Sequence, residues 1–359
     1  MTHVFVAPHP DDAALSCGGL IASLRELGQN VAIITVFSGG AAGEGLSSYQ
    51  REALGFGSKA MWPVTEAFNR AHIGADHPVY APDALPAWAA TDTQLEATQA
   101  DADAAAKRFW QRSSWYRRAS IRAESLAGQP VIDDLPTQGA VLTGERVDDA
   151  ADGDVVAERR LEDERYALFA EASIVWLDLP DAVYRGYDGD AELLGEPRDD
   201  DDPVYEALRR EINRLEPQKV YLPLAVGNHV DHQLCRDAGI RLLAESRKWV
   251  MPGPEYTGIV TFYEDFPYAW WTDFRGIRDL PGDPLSALPP DVGVIPEFAD
   301  VTDQLERKIM GVSLYESQLD RLFDGTRQMA DAVRSYGRAM AEVGGVDGSA
   351  ERYWVSGRV

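Results

Sequence analysis

The chain is poor in cysteine and has no long apolar run. Only two of its 359 residues are cysteines, Cys17 and Cys235. They match no metal-binding spacing, so we expect both to be buried free thiols in a reducing compartment. No apolar run approaches the roughly 20 residues that a membrane-spanning helix needs. No basic secretory leader precedes the first predicted strand. These absences predict a cytoplasmic protein.

Positive charge is also scarce. Lys and Arg number 34 against 59 Asp and Glu, which gives a formal net charge of −25 at pH 7. Nucleic-acid phosphates and anionic lipids repel so negative a surface. We therefore expect neither a nucleic acid nor a membrane as a partner. The hydrophobic fraction of 45% is ample for a globular core.

A group of potential ligands lies where the first predicted strand gives way to a helix. Residues 4–7 are apolar, a helical pattern opens at Ala13, and His9, Asp11 and Asp12 stand between them. In open α/β folds, ligands bind beyond the carboxyl ends of the strands. One Asp could simply cap the helix, but that would leave the second Asp and the His unexplained. No Gly-x-Gly-x-x-Gly follows this strand, which argues against a plain dinucleotide binder.

A second group of the same kind occurs far downstream. Residues 219–224 are typical of a buried strand, and His229, Asp231 and His232 follow it as a helix begins. Catalytic zinc usually takes three protein ligands from His, Asp and Glu and leaves a fourth position for water. His9, one Asp of the first pair and one of the two later His residues would complete such a set. The sequence thus predicts a metal site that joins two strand ends.

Strands alternate with helices along most of the chain, which predicts a three-layer α/β fold with a mainly parallel sheet. The predicted strands span about residues 3–8, 31–37, 173–179, 219–224 and 258–263. The predicted helices span about residues 13–27, 155–172, 203–215, 232–249 and 301–323. Residues 46–157 have irregular periodicity and no ligand cluster, and we interpret them as an insertion or lid. The remaining residues, 326–359, form a C-terminal extension.

The two ligand motifs in combination resemble the PIG-L/LmbE-like family of zinc-dependent de-N-acetylases. The resemblance rests on His9-Pro10-Asp11-Asp12 with Gly18-Gly19 behind it, and on His229-x-Asp231-His232. Further matches occur in order at residues 35–39, 159–163, 177–181, 308 and 315–318. The resemblance covers about residues 2–45 and 158–325. It implies a Rossmann-like catalytic domain made of residues 1–45 and 158–325.

The resemblance also implies roles for the five central residues. His9, Asp12 and His232 would hold one zinc ion per chain, although other divalent metals are possible. Asp11 would stay off the metal and act as general base towards the water that attacks the amide. His229 would stabilise the oxyanion or serve as general acid.

Other residues are assigned more loosely. Asp231 either orients a neighbouring imidazole or caps its helix. Arg160 and Asp181 either hold the substituents of a sugar or are an ordinary surface Arg and a turn Asp. The chain also departs from some members of the family, because it has Gly227 where they carry a Tyr that can contact the oxyanion. Either the metal and His229 suffice, or another side chain takes that place.

These assignments predict an enzyme, a metal-dependent hydrolase that removes an acyl group from an N-acyl amino sugar or glycoconjugate. A hydratase or lyase that adds water to an activated double bond is the first alternative, because the same metal and Asp could support it. A non-catalytic sugar-binding protein that retains the metal is the second. Asp11 and His229 argue against that second alternative, because a pure binder needs only the ligands.

Overall fold

The computed structural model describes the chain in six ranges, 2–40, 152–198, 204–245, 259–270, 293–323 and 325–357, and at the isolated positions Ser47, Leu285 and Leu288. All of these residues belong to one compact unit of the chain. The predicted insertion or lid over 46–157 lies outside the described residues, apart from Ser47 and residues 152–157. Its role, and the domain boundaries drawn from the sequence, stay predictions.

The described strands form one seven-stranded sheet in the order β3-β2-β1-β4-β5-β7-β6. The strands are β1 Thr2–Ala7, β2 Asn30–Thr35, β3 Ser173–Trp176, β4 Lys219–Pro223, β5 Val260–Tyr263, β6 Gly293–Asp300 and β7 Ala350–Gly357. The strands β1 to β5 are parallel to one another. The strand β7 runs antiparallel to both β5 and β6. The predicted mainly parallel sheet with helices on both faces is confirmed.

Most predicted helices are present with shifted ends. The helices are α1 Asp12–Glu26, α2 Asp152–Ala170, α3 Asp190–Leu193, α4 Val204–Leu215, α5 Val230–Glu245, α6 Leu305–Val312, α7 Glu316–Phe323 and α8 Thr326–Gly344. Short 3-10 helices occupy Ala182–Arg185 and Thr302–Gln304. The single helix predicted over 301–323 is wrong. The helix is interrupted between Val312 and Glu316. There the buried carboxylate of Glu162 accepts hydrogen bonds from the backbone N–H and the hydroxyl of Ser317.

The order of the strands places the site. Residues 4–7 of β1 are fully buried, as expected for a strand with parallel neighbours on both sides and covered faces. The register pairs Ala7 with Thr35 and Thr35 with Trp176, so β1, β2 and β3 end at the same edge of the sheet. The strand β4 lies on the other side of β1 and runs in the same direction. Segments that follow these strands are therefore brought together at one edge.

The segment set apart in the sequence as a C-terminal extension contributes α8 and β7 to this same unit. Its Glu351 carboxylate accepts the backbone N–H of Gly19 in α1 at 2.9 Å and pairs with the buried Lys308 ammonium at 2.7 Å. A Cβ on Gly19 would lie 2.7 Å from the side chain of Val301. The pair of glycines in α1 thus lets the helix lie close to Lys308 of α6, to Val301 and to Glu351 of β7.

Two compositional expectations can be checked in the described ranges. Cys17 and Cys235 are free and buried, as predicted. None of the helices in those ranges is both long and apolar enough to cross a membrane.

One buried carboxylate ties α2 to the sheet and to the turn before α7. Asp163 is fully buried and accepts hydrogen bonds from the Thr35 hydroxyl, the Trp176 indole and the Tyr315 phenol at 2.8 to 2.9 Å. Burial raises the pKa of Asp163 to about 7, because desolvation outweighs the hydrogen bonds, which lower it. Between about pH 4 and pH 7, Asp163 therefore keeps its proton in the folded protein and loses it in the unfolded chain.

This raised pKa makes stability depend on pH. A carboxyl whose pKa is raised on folding contributes stability below its unfolded value near 4, and that contribution is lost as the pH rises through about 7. We expect the free energy of unfolding of the metal-free protein to fall between pH 5 and pH 8. The free energy of unfolding of Asp163→Asn should fall less over the same interval, as measured by urea unfolding at each pH. Parallel profiles for the two proteins would contradict the raised pKa.

Candidate metal centre

Three potential ligands come from two neighbouring strand ends. His9 follows β1, Asp12 is the first residue of α1, and His232 lies in the first turn of α5, shortly after β4. Because β1 and β4 are adjacent and parallel, their carboxyl ends bring the two predicted motifs together. All three residues are buried, and their candidate ligand atoms lie within 4.8 Å of one another.

One oxygen of Asp12 is the centre of this cluster. Asp12 Oδ2 accepts the backbone N–H of His9 at 2.7 Å. The same oxygen lies 3.4 Å from His9 Nδ1 and 3.4 Å from His232 Nε2. Two ligands that each bind a tetrahedral zinc at about 2.0 to 2.1 Å are separated by about 3.4 Å. The spacing of these donor atoms therefore fits a divalent metal between them.

The other nitrogen of each imidazole contacts a carboxylate. Asp231 Oδ2 lies 2.9 Å from His9 Nε2, and Asp265 Oδ1 lies 2.6 Å from His232 Nδ1. Metal-binding His residues almost always donate their second N–H in this way, which fixes the ring and its tautomer. With a proton on each of those nitrogens, His9 Nδ1 and His232 Nε2 are left to bind a cation.

A second grouping, His9 with His229 and Asp231, also has its ligand atoms within 4.8 Å. It is the poorer metal site, because both carboxylate oxygens of Asp231 already have partners. Asp231 Oδ1 forms an ion pair with Arg185 at 2.6 Å, and Oδ2 accepts the backbone N–H of Ala182 at 3.1 Å and contacts His9.

The electrostatics of the cluster reflect crowded carboxylates. Burial lowers the pKa of His9, but Asp181, Asp12 and Asp231 outweigh it and raise the pKa to about 10. Burial raises the pKa of Asp12, but His232 and His9 outweigh it and lower the pKa to about 2. The acidic groups of the cluster thus favour a nearby positive charge, which either a protonated imidazole or a bound cation can supply.

Asp11 lies beside these ligands without acting as a helix cap. It occupies the N-cap position of α1, yet its side chain makes no capping hydrogen bond. Burial and the neighbouring Asp12 raise its pKa, although Arg159 lowers it. Its Oδ1 lies 3.8 Å from the Arg159 guanidinium. The alternative that Asp11 merely caps the helix is therefore not supported by its geometry.

His229 is buried against both imidazoles of the cluster. Its ring centroid lies 5.1 Å from that of His9 and 5.3 Å from that of His232. Burial lowers its pKa well below the usual value, so the ring is neutral at neutral pH. Its Nδ1 accepts the backbone N–H of Asp231 at 3.3 Å. The proton of the neutral ring is therefore on Nε2, which makes that nitrogen a hydrogen-bond donor.

The structure places Asp181 against His9, whereas Arg160 contacts Ser38 and Asp178. Asp181 Oδ1 caps the 3-10 helix by accepting the Val183 N–H at 3.2 Å, while Oδ2 lies 3.5 Å from His9 Nε2. Arg160 donates to the Ser38 carbonyl at 2.8 Å and forms an ion pair with Asp178. Whether either residue binds substrate stays a prediction.

The space beside Gly227, where some members of the family carry a Tyr, is filled by the ring of Tyr268. Gly227 has a φ of +87°, and a Cβ there would lie 2.5 Å from the ring of Tyr268. The Tyr268 ring stands edge-on to His232, with centroids 5.8 Å apart and planes at 85°. Only glycine combines this backbone conformation with so close an approach.

An open pocket lies beside the cluster. Arg159 and Asp181 line it on the polar side, and Pro10, Phe37 and Val155 are among its apolar walls. Arg159 is buried, and its Nη1 lies 3.6 Å from Asp181 Oδ2. The arrangement offers an apolar surface and a charged pair within reach of the candidate ligands.

Three residues around the site were not singled out from the sequence. Asp265 lies two residues beyond the end of β5, and a polar residue shortly after a predicted strand is the kind of signal that identified His9. Arg159 was quoted only as part of a motif, and the choice between it and Arg160 depends on the rotation of α2. Arg185 gave no signal, because its partner Asp231 is 46 residues away.

The comparisons with known proteins agree with these motifs. Residues 4–105 match the model of the PIG-L family, described as GlcNAc-PI de-N-acetylase. A 2'-N-acetylparomamine deacetylase of Streptomyces fradiae is 37% identical over 172 residues, which cover 46% of this chain and 55% of the relative. An enzyme of the same name from Niallia circulans is 27% identical over 135 residues, which cover 34% of this chain and 45% of the relative. The chain spans about half the length of the curated relatives it matches.

Solved structures share the fold over nearly the whole chain. A zinc-inhibited form of a teicoplanin deacetylase aligns with a TM-score of 0.56 at 19% identity, covering 100% of this chain and 99% of the other. The deacetylase of the A40926 pseudoaglycone aligns with a TM-score of 0.55 at 20% identity, covering 99% and 97%. At such low identity the likeness concerns the fold. Together with the family model and the motifs, it confirms the predicted resemblance to the PIG-L/LmbE-like family.

The ligand assignment can be tested on the purified protein. His232→Ala and Asp12→Ala should each lose most bound divalent metal, because each removes one of the three predicted protein ligands. His3→Ala is the matched control, since His3 lies in β1 and contacts the Tyr221 hydroxyl at 3.1 Å. Metal per chain is measured by mass spectrometry after equal loading. Undiminished metal in His232→Ala would mean that the second motif supplies no metal ligand through His232.

Proposed function

We propose that the protein is a zinc-dependent N-deacetylase that acts on an N-acyl amino sugar or glycoconjugate. The observation that carries the proposal is the convergence of His9 Nδ1, Asp12 Oδ2 and His232 Nε2. Asp11 adjoins them, and its side chain makes no capping hydrogen bond. A divalent cation held there would act as a Lewis acid and lower the pKa of water.

The chain's own residues would supply the remaining chemistry. Asp11 is buried, makes no capping hydrogen bond and adjoins the metal ligand Asp12, so it can take a proton from the attacking water. Arg159 Nη2, at 3.8 Å, would orient its carboxylate. The Nε2–H of His229 would donate to the developing oxyanion, since the Asp231 N–H occupies Nδ1.

The substrate class is inferred from the pocket and from the relatives. The curated relatives are named as deacetylases of 2'-N-acetylparomamine. The pocket beside the cluster presents Arg159 and Asp181, which can hydrogen-bond sugar hydroxyls, and Phe37, which can pack on the apolar face of a ring. Arg160 contacts Ser38 and Asp178. That it also contacts a larger substrate stays a prediction.

Tyr268 is our proposal for the side chain that takes the place of the Tyr absent at position 227. Its ring fills the space above Gly227 and stands against the ligand His232. A phenol in this position borders the cluster on the side of α5. It would contact the substrate without binding the metal.

No feature of the described residues favours the alternative reactions. The hydratase or lyase would use the same ligands and the same Asp11, so the two reactions differ in product. We would screen the zinc-loaded protein against N-acetylated amino sugars and their glycosides, and measure both free amine and acetate. Equal release of both products supports the deacetylase. Absence of both with every member of the panel, at full metal occupancy, would contradict it.

Asp11→Asn is the sharpest test of the mechanism. Asn preserves size but cannot accept a proton from water, so the turnover number should fall by about 10²- to 10⁴-fold at unchanged metal content. Asp237→Asn is the control, because Asp237 is exposed and pairs only with Arg236 in the described residues. Turnover is compared at equal metal occupancy. A near-wild-type rate in Asp11→Asn would exclude Asp11 as the base.

Tyr268→Phe tests the proposed phenol separately. The variant keeps the ring that packs on Gly227 and His232 and removes only the hydroxyl. A contact made mainly in the transition state predicts a lower turnover number with little change in KM. Metal content should remain at the wild-type level. Unchanged turnover and KM would limit Tyr268 to packing.

A further inference from the structure

Glu264 is a buried carboxylate that the proposed chemistry does not use. It follows β5 and accepts four hydrogen bonds from the C-terminal part of the chain. The donors are the Tyr336 hydroxyl at 2.7 Å, Arg352 Nε at 2.6 Å, Arg352 Nη2 at 2.9 Å and Trp354 Nε1 at 2.8 Å. We call Glu264 and these three donor side chains the Glu264 clamp. A bidentate Arg–carboxylate pair with two further donors fixes the carboxylate in position and direction.

The residue after Glu264 reaches the candidate metal centre. Asp265 Oδ1 lies 2.6 Å from His232 Nδ1, and Oδ2 accepts the backbone N–H of Val226 at 2.8 Å. The next residue is also held, because the N–H of Phe266 donates to Ser16 Oγ in α1 at 3.1 Å. The chain at 264–266 is thus bound on one side by α8 and β7 and on the other by the site.

We propose that the Glu264 clamp positions the metal ligand His232 through Asp265. Two points support this function over simple packing. Glu264 and Asp265 are consecutive, so their backbone positions cannot vary independently. Asp265 is fully buried with both oxygens in use, so a shift of its backbone moves His232 or breaks a buried hydrogen bond.

The consequence is that metal affinity depends on a segment remote from the ligands. Replacement of a group that orients a metal-binding His typically costs about 10- to 100-fold in metal affinity. We expect the loss of metal affinity in Asp265→Asn to fall in that range. Glu264 acts one residue further away, so we expect Glu264→Gln to weaken metal binding by roughly tenfold, the lower end of the range. The inference rests on the proposed metal site and not on the proposed reaction.

The experiment compares Glu264→Gln with Glu351→Gln. Glu351 is the matched control, because it is also buried, accepts several hydrogen bonds and lies in β7, but contacts Lys308 and the backbone of α1. Zinc dissociation constants are measured by chelator competition on the full chain. A roughly tenfold weaker affinity in Glu264→Gln than in Glu351→Gln supports the clamp. Equal affinities in the two variants would overturn it.

A second measurement does not depend on metal or activity. In the metal-free protein, the proton shared between His232 Nδ1 and Asp265 should give a downfield imidazole N–H resonance. We expect Glu264→Gln to shift or broaden this resonance, and Glu351→Gln to leave it in place. If Glu264→Gln does not fold, Trp354→Phe removes one clamp donor and should act in the same direction. An unchanged resonance in the folded clamp variant would contradict the proposal.

The two proposals can fail separately. If the wild-type chain binds zinc but releases no acetate, the proposed reaction fails and the affinity comparison still decides the clamp. If the wild-type chain binds no zinc, the metal site fails, and the resonance of His232 alone decides whether the clamp holds the ring. If Glu264→Gln binds zinc as tightly as the wild type while acetate is released, only the clamp fails.

Discussion

A single carboxylate oxygen organises the site, and the surrounding fold is arranged to keep it in place. Asp12 Oδ2 accepts the N–H of His9 and faces a nitrogen of His9 and a nitrogen of His232. It thereby joins the end of one strand, the start of the next helix and a helix more than 200 residues later. Burying a carboxylate is costly unless cations or donors compensate it. The imidazoles, and a metal when bound, provide that compensation.

Each imidazole in turn contacts a buried carboxylate, and an arginine pairs with that carboxylate or with the one next to it in the chain. Asp231 orients His9 and pairs with Arg185. Asp265 orients His232, and the residue before it pairs with Arg352. Buried polar networks of this kind are favourable only when every member has a partner. The arrangement therefore extends the site well beyond its three ligands, into the 3-10 helix after β3 and the C-terminal strand.

The local sequence was sufficient for the ligands and for most strands. His9 and Asp12 stand at the end of an unbroken apolar run, and that pattern identifies a buried parallel strand and its exit. The late elements were harder. The strand β6 is an exposed edge that contains Pro296, so it lacks the apolar run that marks β1. The predicted helix 301–323 divides because the Glu162 carboxylate, contributed by α2, binds the chain at Ser317.

The sequence by itself determined which residue types stand at which strand ends, and hence the family resemblance and the candidate ligands. Only the tertiary structure decided which of two adjacent groups faces the site, Arg159 or Arg160, and which side chain fills the space at Gly227. Those choices depend on the rotation of a helix and on a close approach of Tyr268 from another segment. Such contacts join residues far apart in the chain, and no periodic pattern along the sequence records them.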